Sequence, residues 1–350
     1  MQNYQKAAIH AVKTYAQAKV PSHQAYVDSI CEPFNISGKS LAGKVLKRPV
    51  TINFHPDRLS NNGKTVIENL LAEGQYLSQF STGTTNGGTG IFAGGNRFTW
   101  EQNLFADAYP HQALDRPKYG ALNLFKYLDG ASARFGSCFF MLKPAVQSRC
   151  TFAYGDSSTN PTTLCTGDTF IGIIAAMFAD VKANGRLLNQ VVASERMALA
   201  TMLNPSVEMK HMGRNLDYCI ETHIHGDVSL ADDVDCFYMD ESFRGTIFHE
   251  HGEVLCKKYG IKLGWTPRRQ MHVADIDGIF RSEKMPPLAR RIDSEFGGSS
   301  GDNSGIITAA LIGHASRDSM INADRWRDFG TEADMFMYFK QLWHTIAYFG

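Results

Sequence analysis

Three residues in the segment ETHIHGDV are the most suggestive of chemistry: Glu221, His223 and His225. They recur at every second position. LDYCIETHIHGDV reads as a strand, and strand side chains alternate between faces. Leu216, Tyr218, Ile220 and Ile224 then point one way, while Glu221, His223 and His225 share the other. Ionisable groups are costly to bury without a partner or a task, so this face suits a cleft. A solvated face at a sheet edge is the plainer alternative.

Two chemistries fit such a face. The first is metal binding. His223-x-His225 resembles the H-x-H of metal-dependent hydrolases, and His249, Glu250 and His251 offer further ligands. HEH is not H-E-x-x-H, however: on a helix, positions two apart diverge. No C-x-x-C pair or carboxylate cluster completes a shell, so no metal ligand is assigned. The second is a carboxylate acting on a glycosidic bond. Cleavage of the nicotinamide–ribose bond of NAD passes through an oxocarbenium-like transition state, which one well-placed Glu can stabilise. His223 or His225 would then assist as base toward an acceptor.

The second chemistry also needs a cradle for the dinucleotide. FHPDR places His55 and Arg58 at a strand end, where Arg58 could pair with a phosphate and His55 with a ribose or amide. The Gly-rich run from Phe80 to Gly95 can bring backbone N–H groups close to a ligand. It contains neither GxGxxG nor GxxxxGK[ST], so neither a Rossmann nor a P-loop site is expected. Tyr119 in RPKYG could stack on nicotinamide or simply pack in the core.

The elements that must hold these residues follow from periodicity. Residues 4–18 read as an amphipathic helix, followed by a polar stretch to about Gly43. Val50, Ile52 and Phe54 alternate as a strand, and TVIENLLAEGQYL reads as a helix. A short helix from Trp100 to Ala106 is expected, then strands in RPKYGALNLFKYL, RFGSCFFMLKP and SRCTFAYGDS. Helices follow at 169–183 and 186–202. VDCFYMD and IKLGWT read as strands around a helix ending at Gly260. Residues 276–350 stand apart as a largely helical extension behind a linker-like Gly/Ser stretch, with helices at 305–322 and 332–348. The chain thus divides into an N-terminal helical segment (1–44), a catalytic domain (45–275) and the extension. Strands and helices do not alternate in the βαβ manner, so the class is α+β.

Bulk properties exclude other functions. Lys plus Arg equals Asp plus Glu, 35 each, so the chain has no electrostatic footprint for nucleic acid or an anionic membrane. Its seven cysteines are odd in number and scattered, which suits buried thiols in a reducing compartment. The N-terminus lacks the apolar core of a signal peptide, so any export is expected to proceed without a cleaved signal.

Several segments in order carry a resemblance. VTINFHPDR, the G-x-Y-x-S-Q-F-x-T-G run from Gly74 to Gly83 with its following NGG, RPKYGALNL, FGSCFF, TFAYGDS and ETHIHGDV resemble a bacterial family long catalogued as a domain of unknown function. It includes the CteC-type secreted effectors, which ADP-ribosylate ubiquitin on a threonine. The resemblance spans about residues 45–275. It implies an ADP-ribosyltransferase fold: a split, mostly antiparallel sheet with NAD as co-substrate in the cleft. It places the catalytic Glu on Glu221 and the first NAD element on His55 or Arg58. The second falls on Ser81-Thr82-Gly83, similar to a Ser-Thr-Ser element, or on Tyr119, with Phe80 and Asn86 in the same run. Where many arginine-directed members carry E-x-E or Q-x-E, this chain has Glu221-x-His223, which suits a hydroxyl acceptor. Host ubiquitin is the implied partner, reached by delivery into a host cytoplasm through a specialised secretion system. A metal-dependent hydrolase using His223 and His225, or a non-enzymatic module that masks a host protein, are the competing expectations.

Overall fold

A computed structural model describes residues 1–83, 90–188, 190–205, 216–297 and 305–350. Its centre is a mixed eight-stranded sheet in an α+β fold. The strands are β1 (Val50–Phe54), β2 (Lys118–Leu122), β3 (Cys138–Leu142), β4 (Cys150–Tyr154), β5 (Leu164–Thr166), β6 (Ile220–Ile224), β7 (Val234–Asp240) and β8 (Lys262–Thr266). Their spatial order is β8-β7-β3-β1-β2-β6-β4-β5. Only β8 against β7 is parallel; the other neighbours are antiparallel.

The sheet opens between β1 and β2. Their ladder has only two pairs, Val50 with Leu122 and Thr51 with Ala121. Beyond it, Ile52 to Phe54 pair with β3 alone, and Lys118 to Gly120 pair with β6 alone. Gly120 sits at the fork. A Cβ there would lie 2.5 Å from the Thr51 carbonyl oxygen, so only glycine lets the strands meet before they part.

Every residue of β6 is buried. Ile220 and Ile224 enter the main core, while the Glu221 face is covered rather than solvated. The cover is the helix Asn96–Leu104 and the segment after it. Phe105 presents its edge to His223 and His225, with ring centroids 5.4 and 5.1 Å apart. The N-terminal helix Asn3–Gln17 packs outside this layer through Ala8 and Val12, against Trp100, Leu104, Phe105 and Tyr109.

Several elements differ from the sequence expectation. The polar stretch before Gly43 forms two helices, Val20–Cys31 and Gly38–Leu46. Pro21 lies in the first turn of the former, where its missing N–H costs nothing, and few buried side chains anchor it, so its period is weak. Residues 186–202 are not one helix; a short hairpin precedes the helix Glu195–Leu203, which starts only after the Ser194 cap. The Pro-Pro pair begins the helix Met285–Phe296 for the same first-turn reason, with Met285, Leu288, Ala289 and Ile292 buried at helical spacing. The strand bearing Glu221 begins at Ile220, leaving Leu216 and Tyr218 outside it.

Met285, Leu288, Ile292, Ile307, Ile312, Leu342 and Ile346 share the main hydrophobic core with the sheet. The final helix, Glu332–Phe349, buries Trp343 against His55 at a 5.1 Å centroid distance, and the Trp343 indole donates to the Ala133 carbonyl at 2.8 Å. All seven cysteines are free thiols. Among the described residues, no helix is long and apolar enough to cross a membrane.

His344, on that last helix, is buried. Desolvation, aided by the positive charges of Arg281, Arg134 and Lys340, pushes its imidazole down to about 2. An unfolded chain protonates this His below its ordinary 6.5, and the native chain does not. Above 6.5 neither state binds the proton and nothing is contributed. As the pH falls below it, unfolding is increasingly favoured. Relative to wild type, His344→Leu should therefore gain about 2 kcal/mol between pH 7.5 and pH 5. Urea midpoints at the two pH values measure this; a gap that does not change with pH contradicts it.

Candidate active site

The gap between β1 and β2 holds a cavity of about 190 Å³. Asn53 of β1 lines one side, Lys118, Tyr119 and Gly120 of β2 another, and Glu221 of β6 reaches it from the next strand. The loop after β4 contributes Asp156, Ser157 and Ser158. Arg97 comes from the helix behind the Gly-rich run, and Lys340 from the final helix.

Glu221 is held through one oxygen. Its Oε1 accepts from the Ser157 backbone N–H at 3.2 Å, from the Ser157 hydroxyl through a short contact, and from His223 Nε2 at 3.0 Å. Ser157 Oγ also lies 2.8 Å from His223 Nε2.

Behind Glu221 runs a buried chain of polar groups. His223 Nδ1 lies 3.0 Å from Thr151 Oγ1, which lies 3.0 Å from His225 Nε2. His225 Nδ1 lies 2.7 Å from the Tyr109 hydroxyl. Thr151 can serve both rings because it pairs with His223 in the β4–β6 register. One proton arrangement satisfies every member. Tyr109 donates to His225, His225 to Thr151, Thr151 to His223, and His223 to the carboxylate. Both imidazoles are then neutral with the proton on Nε2. Burial, followed by the nearby His223, Lys118 and Arg149, holds the His225 imidazole well below its ordinary range. Burial likewise raises the Tyr109 phenol, keeping it a donor.

Thr151→Val keeps the shape of this side chain and removes the hydroxyl. It leaves a buried nitrogen unpaired on each histidine, so about 2–4 kcal/mol of stability should be lost. Chemical denaturation measures it; a loss under about 0.5 kcal/mol would mean that the chain does not hold the strands as described.

Arg97 supplies the complementary charge. It is only 6% exposed, yet neither its Nε nor its Nη1 has a hydrogen-bond partner. Glu101 is 3.7 Å from Nη1, beyond hydrogen-bonding reach, and is already bound by Arg116 at 3.1 Å and by the Tyr119 hydroxyl at 2.9 Å. The guanidinium instead lies over the Tyr119 and Trp100 rings, 4.7 and 4.8 Å from their centroids. Burying a cation with idle donors is costly. An anionic ligand in the cavity would offset this buried positive charge.

Of the residues singled out in the sequence, Glu221 and Tyr119 line this cavity together. His223 and His225 are fully buried behind them and are not among the lining residues. His55 faces Trp343 beneath the last helix, where burial and the charge of Arg58 hold its imidazole low. Arg58 is half-buried beside Asp57, whose carboxylate lies 3.5 Å from Arg317. Phe80 packs under the guanidinium of Arg116, and the Ser81 hydroxyl donates to the Leu114 carbonyl at 2.9 Å. Gly83 caps that short helix, and Thr82 lines a smaller neighbouring pocket. Asn86 lies outside the described residues. His249 is engaged with Glu253 and the Gly245 N–H, on the helix Ile247–Tyr259.

Among the site residues unassigned in the sequence are Arg97, Asp156, Ser157 and Lys340. Arg97 follows directly on the Gly-rich run, which is a usable signal. Ser157 and Asp156 stand in TFAYGDS, a segment conspicuous by resemblance but without a role. Lys340 leaves no local trace.

The family model described as "Protein of unknown function (DUF3626)" matches residues 49–349. This chain is a DUF3626 protein. The match runs through the final helix, so the DUF3626 region includes Lys340 as well as the sheet. A comparison with curated proteins finds no match to this DUF3626 chain.

Proposed function

We propose that this protein is an NAD-dependent mono-ADP-ribosyltransferase acting on a hydroxyl acceptor. The observation that carries the reading is a Glu221 carboxylate and a buried Arg97 guanidinium lining one cavity at the opening of the sheet. A dinucleotide presents two matching features, a ribose that becomes cationic on bond cleavage and a pyrophosphate that needs donors.

In this reading the Arg97 guanidinium holds the pyrophosphate, with Lys340 adding positive charge nearby. Tyr119, its hydroxyl fixed by Glu101, offers a ring wall beside the nicotinamide. Glu221 accepts a hydrogen bond from the ribose hydroxyl and stabilises the positive charge that develops as nicotinamide departs. The fixed orientation of Glu221 matters because an oriented carboxylate needs no reorganisation during the reaction. Arg97 thus takes the phosphate-binding part expected of Arg58, and His223 becomes a positioning residue.

The resemblance to CteC-type effectors supports threonine of host ubiquitin as the acceptor, following delivery into a host cytoplasm. A hydrolytic metal site on His223 and His225 is less supported. Both nitrogens of each ring are engaged within the buried chain, so a metal would have to displace those hydrogen bonds. The test is incubation with labelled NAD and ubiquitin. Release of nicotinamide with labelled ubiquitin is expected. Cleavage of NAD without labelling removes ubiquitin as acceptor; no cleavage by folded protein removes the enzyme class. Stoichiometric zinc in purified protein would favour the hydrolase.

A further inference from the structure

The β5 edge of the sheet carries a second cavity, of about 190 Å³. It shares no described lining residue with the cleft, and β6 and β4 stand between β5 and the cleft strand β2. Three pieces of chain wall it. The helix Asn3–Gln17 ends beside it with Tyr15, and the helix Val20–Cys31 begins beside it with Lys19 and His23. The chain entering β5 supplies Thr162, Thr163 and Cys165. Among the described lining residues two are basic and none is acidic.

The basic groups are held in place. Lys19 Nζ donates to the Tyr15 hydroxyl at 2.6 Å and lies 4.1 Å from the centre of that ring. The Tyr15 hydroxyl donates in turn to the Thr162 carbonyl at 2.9 Å, which ties the first wall to the third. This uses one of the three donors of an ammonium. His23 rests on the helix Ile171–Asn184, where a Cβ on Gly172 would lie 2.7 Å from Cys165 Sγ and 3.2 Å from His23 Nδ1. Glycine there lets the thiol and the imidazole close the floor together. Burial, followed by the charge of Lys19, pushes the His23 imidazole below its ordinary range. An oxyanion between the two basic groups relieves that repulsion and takes up their donors. Threonine hydroxyls can donate to the same oxygens.

We propose that this cavity is a binding site for a phosphate group, gripped by Lys19 and His23 on one wall and by Thr162 and Thr163 on the other. The group is inorganic phosphate or the end of a small phosphomonoester. The site does not depend on the transferase reading. Its basic wall precedes residue 49, where the match to the family model begins, and its threonine wall lies inside the match. A ligand here bridges the N-terminal helices to the sheet edge, so it should raise the melting temperature of the whole chain.

The cleft also holds cations, so the test needs a local readout. The full chain is titrated with inorganic phosphate and with glycerol 3-phosphate at constant ionic strength. The His23 ring resonances, assigned by their loss in His23→Asn, are followed together with binding heat and melting temperature. Saturable shifts of those resonances are expected, with affinity reduced about tenfold or more in Lys19→Met. Lys13→Met removes an equal charge from a surface pair with Asp168 and should leave the affinity within about threefold. Tighter binding of glycerol 3-phosphate supports the site with a monoester as its ligand, and tighter binding of phosphate supports it with the free ion. Wild-type His23 resonances that do not move by about 10 mM of either probe overturn the inference, even where Lys19→Met fails to fold. Equal weakening by Lys19→Met and Lys13→Met overturns it too, as unspecific attraction.

Discussion

Glu221→Gln should lower nicotinamide release by roughly a thousandfold while leaving NAD affinity within about threefold. The size follows from how the carboxylate is held. Three donors converge on Oε1, from the Ser157 backbone, the Ser157 hydroxyl and His223. In the variant the amide oxygen must take that position, because an NH₂ there would meet donors head-on. The amide NH₂ then occupies the other site and presents a donor where the ribose needs an acceptor and the cation needs negative charge. The substitution thus reverses the local dipole rather than merely removing a charge. Ground-state binding survives because the phosphates are held elsewhere, so the loss appears in kcat. Single-turnover nicotinamide release and NAD titration on the same protein read the two quantities. A variant that keeps a tenth of wild-type turnover would remove Glu221 from the chemistry.

Arg97→Ala should raise KM for NAD by about a hundredfold, a loss larger than its cost in stability. Two charge-assisted hydrogen bonds to phosphate, at about 1.5–3 kcal/mol each before the cost of imperfect geometry, account for that size. Some stability is lost with the contacts to the Tyr119 and Trp100 rings, while Glu101 keeps Arg116 and Tyr119. Arg97→Lys should recover little, since a point charge cannot reproduce the planar fork. Initial-rate kinetics across NAD concentrations and a melting curve measure both effects. An unchanged KM, or a loss of folding that matches the loss of binding, would make Arg97 a structural residue.

What the sequence disclosed about this site was what alternation can disclose. Glu221, His223 and His225 share a face because strands have a period of two, and the register bears out that geometry for β6. Alternation cannot say what covers a face. Phe105 and Tyr109 close it, and Thr151 reaches it only because β4 and β6 are neighbours. The same limit applied to His55. A histidine at a strand end looks available until Trp343, far along the chain, is folded onto it. The helices Val20–Cys31 and Met285–Phe296 were obscured by polar composition and early prolines. Arg97 was legible in principle, as a cation beside a Gly-rich run. Its importance lies in what it lacks, and missing partners are visible only in three dimensions.

The last helix has a consequence for timing. Lys340 reaches a cavity whose other walls begin at Asn53, and Trp343 seals the strand end at His55. These contacts close a loop spanning most of the chain, and such long-range contacts form late because their closure entropy must be met first. A nascent or partly folded chain can therefore possess Glu221, Arg97 and the full sheet while lacking a finished cleft. Under the proposed activity, competence would arrive only once the helix Glu332–Phe349 has docked onto the sheet.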